Sequence, residues 1–393
     1  MPELASKNQC TGCTACASIC PRQCIQMEKD NAGFPYPKVI KPTACTACGA
    51  CERVCPVLAN QKITEHQSSI SAYAAFTENE PLRMKSSSGG VFSELATVIL
   101  QMGGIVYGAI YDEKGEVRHI GIECQEELGK LRGAKYSQSI LDDTFLNLKK
   151  QLDSGRTVLF SGTPCQVAGL KSFLKHDYDN LVCIDFVCHG VPSPMVWEKY
   201  VEYRSQYDNE GVLPLHINLR NKESGWRNYT YSVEFAYANE KRYFCLNGND
   251  PYMYLFVNDY ILRESCSDCY FKGYNRVSDI TLGDFWGIQK IDSEMDDNKG
   301  TSLVLTHDAK GESLLKKIAG HVKLKQVTLE QTSKENLSLL QSSVHRPSRN
   351  KVLKKIESEN FQAILPFLQK EQSVQKRNRD GIIGRVLKKL RGL

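Results

Sequence analysis

Residues 10–21 read CTGCTACASICP, with cysteines at 10, 13, 16 and 20 and a proline directly behind the last. The arrangement recurs 35 residues on, where residues 45–56 read CTACGACERVCP, with Cys45, Cys48, Cys51, Cys55 and Pro56. A C-x2-C-x2-C run lets three thiolates of one tight loop close on a cube of iron and sulfide. A fourth cysteine after a three-residue spacer, followed by proline, turns toward a second cube. Two such runs therefore exchange their last cysteines. The spacing predicts one [4Fe–4S] cluster on Cys10, Cys13, Cys16 and Cys55, and another on Cys45, Cys48, Cys51 and Cys20. Zinc knuckles require neither the third cysteine nor the C-P ending, twice over. Cys24 is read as a non-ligand thiol. Two clusters this close form an electron relay, so the rest of the chain is expected to supply its far end.

Composition bounds what that far end is. The chain has 393 residues, enough for one large domain or two to three smaller ones, and 41% hydrophobic with 24% charged residues is ordinary for a globular protein. A net charge of +5 is too mild to suggest nucleic acid as a partner. No apolar stretch follows the N-terminal MPELASKNQC, and no run of 18 apolar residues occurs. The expectation is a cytoplasmic protein whose cysteines serve as metal ligands or redox groups.

The pattern after the cysteine runs is that of an α/β protein (α+β overall). Residues 1–60 form a small domain, 61–72 a polar linker, 73–154 and 155–325 the two parts of a body, and 326–393 a helical tail. AYAAF reads as a strand, and SGGVFSELATVILQMGG as a helix with Val91, Leu95, Val98, Ile99 and Met102 on one face. A hairpin turning at 113–115 follows, then an amphipathic helix closed by Gly155. TVLFSG, PCQVAGLKSFL, LVCIDFVC and PMVWEKYVEYRSQ then alternate strand and helix, which argues for a mostly parallel sheet region with helices on its faces. Residues 212–246 are richer in strand pattern. The tail ends in a basic amphipathic pattern, with Ile382, Ile383, Val386, Leu387 and Leu390 on one face and Arg385, Lys388, Lys389 and Arg391 largely on the other. Such a segment docks on the body, frays as a terminus, or lies on an anionic membrane surface at the inner face.

Further candidate sites follow from topology. Ligands of open α/β sheets gather beyond the carboxyl ends of the strands. There the sequence sets Cys165, at a helix start expected to favour its thiolate, and Cys188. SCSDCYFKG adds Cys266 and Cys269, which makes four thiols: enough for a third centre, either [4Fe–4S] or zinc. Cys124, Cys183 and Cys245 are read as buried apolar thiols. RMKSSSGGVF, residues 83–92, places serines and glycines at a helix mouth, a setting that suits a phosphate or pyrophosphate. RGAKYSQS, residues 132–139, is a second basic, hydroxyl-rich loop. RVSDITLGDFWG, residues 276–287, reads as a loop or as a strand with a turn.

Residues 1–60 resemble a bacterial-type two-cluster ferredoxin. In order, SSSGGVFSELA, RGAKYSQS, FSGTPCQVAGLKSFL, DFVCHGVPSP, CSDCYFKG, SDITLGDFWG and NKGTSLVLT resemble the coenzyme F-420 hydrogenase/dehydrogenase beta-subunit family, in a form with an N-terminal ferredoxin domain. The resemblance covers roughly residues 1–320. It implies an α/β iron–sulfur flavoprotein oxidoreductase that passes electrons between its clusters and a substrate or coenzyme (F-420 or another) through FAD. It also implies ferredoxin or another redox partner, and a setting in cell-surface polysaccharide metabolism. Under it, Cys165, Cys188, Cys266 and Cys269 hold a third [4Fe–4S] cluster. Ser87, Ser88, Gly89 and Gly90, with Lys135, Tyr136 and Ser137, cradle the FAD, although no G-x-G-x-x-G fingerprint accompanies them. Two other readings stand beside this one: an electron-transfer subunit that serves a separate catalytic partner, and a zinc-stapled scaffold.

Overall fold

The computed structural model describes residues 2–59, 70–227 and 230–373, and within it the two cysteine runs fold alike. Each loop carries two left-handed residues at matching places: Gly12 (φ 71°) and Thr14 (φ 66°) in the first, Ala47 (φ 52°) and Gly49 (φ 66°) in the second. Each then enters a single helical turn, Ala15–Ser18 or Ala50–Arg53. Left-handed turns of this kind aim successive backbone N–H groups into the concavity of the loop. The glycine at position 12 has a separate cause. A Cβ there would stand 2.6 Å from Gln138 Nε2 and 3.0 Å from a guanidinium nitrogen of Arg263, while alanine is accommodated at the equivalent position 47. Between the loops, β1 (Ile25–Lys29) and β2 (Pro35–Val39) pair as an antiparallel hairpin.

The body is built on one eight-stranded sheet. Its strands are β3 (Ser71–Thr77), β4 (Ile105–Tyr111), β5 (Val117–Ile122), β6 (Val158–Ser161) and β7 (Leu181–Phe186). A separate sheet holds β8 (His216–Asn221), β9 (Ser232–Ala236) and β10 (Arg242–Leu246), and the chain then returns with β11 (Ile280–Asp284), β12 (Ser302–Thr306) and β13 (Val322–Val327). The large sheet runs β13-β3-β12-β11-β7-β6-β4-β5. Its centre, β11-β7-β6-β4, is parallel, as the strand–helix alternation predicts. Both flanks are antiparallel: β5 reverses the chain by a short hairpin after β4, and β12 returns beside β11 through the longer loop 285–301. RVSDITLGDFWG therefore contains a true strand. β3 begins at Ser71 and so takes in the last two residues of the expected linker.

Helix Val91–Gln101 covers one face of the sheet, burying Val91, Leu95 and Ile99, while Met102 at its end is exposed. Helices Thr144–Asp153 and Pro164–Leu174 cover the other face. That second core also takes in Ala15 and Val54, so the ferredoxin-like part is packed onto the body. Helix Pro194–Asn209, the small sheet and the C-terminal helices share an aromatic core with Trp197, Tyr200, Phe235, Tyr252 and Phe361. Among the described residues no helix is long and apolar enough to cross a membrane. The amphipathic pattern at 382–391 and most of the expected linker lie outside the described residues.

Candidate functional site

The twelve cysteines singled out by spacing and topology gather in three groups of four. Cys10, Cys13, Cys16 and Cys55 line one cavity, which Cys51 also touches. Cys20, Cys45, Cys48 and Cys51 line a second, together with Cys24. Cys165, Cys188, Cys266 and Cys269 line the third. The exchange of Cys20 and Cys55 between the two runs is thus present in the geometry. Among the described residues no three His, Cys, Asp or Glu side chains meet as a single-ion site; the thiols ring cavities instead.

Local chemistry explains how the third group assembles. Thr163 caps helix Pro164–Leu174 through a reciprocal box with Gln166, and Pro164 occupies the first turn, so TPCQ fixes Cys165 at the helix mouth. β6 and β7 are adjacent parallel strands, which brings Cys188 to the same rim. The loop after Cys188 is zipped to the Cys266 segment: Arg263 N–H donates to Val191 O (2.8 Å), and Val191 N–H donates to Cys266 Sγ (3.4 Å). Ser342 Oγ accepts from the N–H of Cys269 at 2.9 Å.

Burial favours the neutral form of Cys13, Cys16, Cys165, Cys188 and Cys266. Burial, with Cys10 and Cys55 nearby, pushes Cys13 up to about 12, and Cys16 is raised by burial and by Cys13, Cys10 and Cys55. Cys188 and Cys266 are each pushed up to about 12 by burial. Cys165 is also raised, by burial first and then by Cys269, Cys188 and Cys13. The helix mouth therefore does not by itself make Cys165 a thiolate, contrary to the expectation from its position. A thiolate is the ligating form, and a metal supplies the positive charge that makes it favourable.

The second cavity is the outer one, with Cys48 exposed. The first meets the body directly. Gly169 lies against Cys13, so that a Cβ there would stand 2.7 Å from Cys13 Cβ and 2.8 Å from its sulfur. Cys55, Cys165 and Cys269 pack around one small core of Val57, Ala168 and Phe271. The order outer, middle, body is thus continuous in packing. Of the remaining thiols, Cys183 and Cys24 are buried, Cys245 is half-buried, and Cys124 is exposed beside Glu127, not buried as expected.

The two hydroxyl-rich loops also meet, through a residue their sequences do not reveal. Arg220 donates to Tyr136 OH (3.2 Å), Ser87 O (3.4 Å) and Asp284 Oδ2 (2.8 Å). Asp284, at the end of β11, also accepts from Trp226 Nε1 (3.1 Å), and Trp226 stacks on Trp286 at 4.8 Å. Two buried polar atoms here, Ser87 Oγ and Arg220 Nε, have no hydrogen-bond partner among the described residues. The neighbouring residues are engaged structurally. Ser88 Oγ donates to Thr301 O (2.9 Å), and a Cβ on Gly89 would stand 2.3 Å from Ala75 O. Gly90 opens its helix with φ 85°. The Lys135 ammonium, pushed down to about 7 by burial and by Arg132, donates to the carbonyls of Lys130 and Arg132. Ser137 is buried and donates its N–H to Lys135 O at 3.0 Å. A packed route joins this locus to the third cavity: Phe256 contacts His189, which lines that cavity, at 5.3 Å and Tyr136 at 4.6 Å.

Comparison with known proteins bears on two segments of the chain. Residues 9–59 match the model of the 4Fe-4S dicluster domain. Residues 155–331 match the model of the C terminus of the beta subunit of coenzyme F420 hydrogenase/dehydrogenase. A segment similar to a dicluster domain thus precedes one similar to the C terminus of that beta subunit. No curated protein matches it. Among solved structures it is similar to a chain of the F420-reducing [NiFe] hydrogenase complex from Methanosarcina barkeri, at 14% identity, covering 74% of this chain and 93% of that one, with a TM-score of 0.46. The dicluster match supports iron–sulfur clusters in the N-terminal part, and the beta-subunit domain relates the body to redox enzymes.

Proposed function

We propose that the chain is an iron–sulfur flavoprotein oxidoreductase in which three [4Fe–4S] sites form a line from the surface into the body. The observation that carries this reading is the set of three cavities, each lined by its own four of the twelve cysteines expected as ligands, with direct packing through Gly169 and the Val57–Ala168–Phe271 core. The residues that would hold the clusters are Cys20, Cys45, Cys48 and Cys51 outside, Cys10, Cys13, Cys16 and Cys55 in the middle, and Cys165, Cys188, Cys266 and Cys269 in the body. Clusters of this type carry single electrons, and a flavin couples them to two-electron chemistry.

The chain's own part is positioning and solvent exclusion. Met27, Pro37, Val57 and Leu58 keep water from the middle site. Arg263, buried between the middle and body sites, donates to Cys10 O (2.7 Å), Pro35 O (3.0 Å) and Gln138 Oε1 (2.9 Å), and Gln138 in turn donates to Thr11 O (3.1 Å). These bonds lock the two parts at fixed separation. The residues that would hold the flavin are Ser87, Tyr136 and Arg220, where two buried polar atoms await a partner. A second reading, a relay subunit serving a separate catalytic protein, is favoured by one observation. The strip beside the body site exposes Tyr270, Leu337, Leu340 and Val344.

The test is cofactor stoichiometry of protein purified without oxygen, compared with Cys165→Ser and Cys269→Ser. Loss of about four irons in each variant supports a body cluster, and unchanged iron would refute it.

A further inference from the structure

The body cavity differs from the other two in charge. Arg263, Lys272 and Arg276 all line it, whereas among the described residues no charged side chain lines the middle cavity, and the outer one meets Arg22 and Glu52. Of the three cations, only Arg276 has a carboxylate partner among the described residues, Asp185 at 3.3 Å. Arg263 is 2% exposed, yet its hydrogen bonds go to three uncharged oxygens. Lys272 donates to the carbonyls of Cys188 and Ser338. Asp30, the carboxylate on the hairpin beside Arg263, is paired with Lys7 at 3.6 Å and accepts from the N–H groups of Ala32 and Phe34. His189, also on the cavity wall, is paired with Asp259 at 2.7 Å.

A buried cation without a counter-ion, as Arg263 is, is costly unless an anion occupies the space it faces, and the half-buried Lys272 adds its charge to the same wall. A cluster held by four thiolates is such an anion, and it gains a further negative charge on reduction. Fixed positive charge beside it therefore favours the reduced form, and net charge around a cluster is one of the levers on its potential. The middle cavity has no charged side chain on its own wall, and Arg263 reaches that site only through the Cys10 carbonyl, so the added electron is less favoured there.

Building on the three-cluster reading above, we propose that Arg263 and Lys272 hold the reduction potential of the body site above that of the middle site, so that electrons run inward from the dicluster part. With clusters held by these cysteines, each step would move one electron, the middle site losing one and the body site gaining one. The reductant is a one-electron carrier protein acting at the outer site, where Cys48 is exposed. Arg263 and Lys272 act through the cluster's environment and are positioning residues.

The test is a potentiometric titration followed by electron paramagnetic resonance on the full-length holoprotein, with iron quantified in every sample. The body signal is the one that Cys269→Ser removes, and the middle signal is the one that Cys16→Ser removes. In the wild type the body signal is expected to develop at the higher potential. Lys272→Met lowers the potential of the body signal alone, and Lys272→Arg restores it. Arg263→Gln lowers the body potential most and the middle one less, because Arg263 lines the body cavity and touches the middle site only through the Cys10 carbonyl, and it leaves the outer one in place. A purely structural role would reduce iron content without moving one potential selectively. Should Lys272→Met lose iron, Arg263→Lys and Arg263→Gln carry the same comparison. A body signal below the middle one in the wild type, or one unmoved in iron-replete variants, overturns the proposal. A wild type with about eight irons and no third signal removes the reading beneath it.

Discussion

Gly169→Ala separates two opposed effects at the junction between the dicluster part and the body. Gly169 lies within helix Pro164–Leu174, where alanine ordinarily stabilises by about 1 kcal/mol relative to glycine. Its Cβ position, however, is 2.7 Å from Cys13 Cβ and 2.8 Å from Cys13 Sγ, closer than carbon and sulfur pack. Cys13 is held by its loop and cannot swing aside as a long side chain would. The helix or the loop must move instead. Overpacking of this kind costs roughly 1–3 kcal/mol, so the net effect is a destabilisation of about 0–2 kcal/mol where an open helix would gain. Gly169→Val, with less helix benefit and two more methyl groups, goes further in the same direction. The assay is urea unfolding of holoprotein under anaerobic conditions, read with iron content. The magnetic coupling between the middle and body signals should weaken in step with the displacement. A gain of about 1 kcal/mol with unchanged iron would show that the two parts do not meet at Gly169 and would refute the packed relay.

Three further outcomes are expected. Ser87→Ala leaves thermal stability unchanged, since its buried hydroxyl has no partner among the described residues, but weakens flavin retention roughly 5-fold, the value of about one hydrogen bond; unaltered flavin affinity by equilibrium dialysis would remove Ser87 from the site. His119 is pushed down to about 4 by burial and stacks on Phe160 at 5.4 Å, with Nε2 3.0 Å from Ser161 O. Its folded pKa lies below the unfolded one, so the unfolded state binds the proton first, and stability is complete above about 6.5 and is lost as pH falls toward 4. Wild type should therefore lose about 2 kcal/mol more than His119→Phe between pH 7 and pH 5, and parallel pH curves from urea titrations would contradict this. Gly12→Ala, which adds a Cβ 2.6 Å from Gln138 Nε2 at φ 71°, should lower iron content and stability, whereas Ala47→Gly at the matching place should do neither; equal effects, measured by iron assay and melting, would sink the explanation for glycine at 12.

The cysteine groups were legible because their chemistry is local or topological. Spacing alone pairs Cys20 with the second run and Cys55 with the first. The rule that sites lie beyond parallel strands places Cys165 and Cys188 together before any contact is known. Charges were not legible. Arg263 and Lys272 flank the CSDC segment in sequence as ordinary basic residues, and only folding leaves one of them buried between two sites. Arg220 sits in β8 of a separate sheet, more than 80 residues from Tyr136 and more than 130 from Ser87, and no local pattern announces that it joins them. The serine and glycine loop misleads in part for the same reason. Gly89 and Ser88 match a phosphate cradle by composition, but their neighbours in space are β3 and the segment before β12. The antiparallel flank β13-β3-β12 likewise depends on long-range pairing, which strand pattern alone does not specify.

The number of clusters in the chain decides whether electrons can reach the body at all. Iron and acid-labile sulfide per chain, measured with released flavin on anaerobically purified wild type beside Cys188→Ser, give that number. The expectation is about twelve irons and matching sulfide with one flavin, falling to about eight irons in the variant. About eight irons in both, or zinc in place of iron at the body cysteines, would contradict a relay that reaches the body.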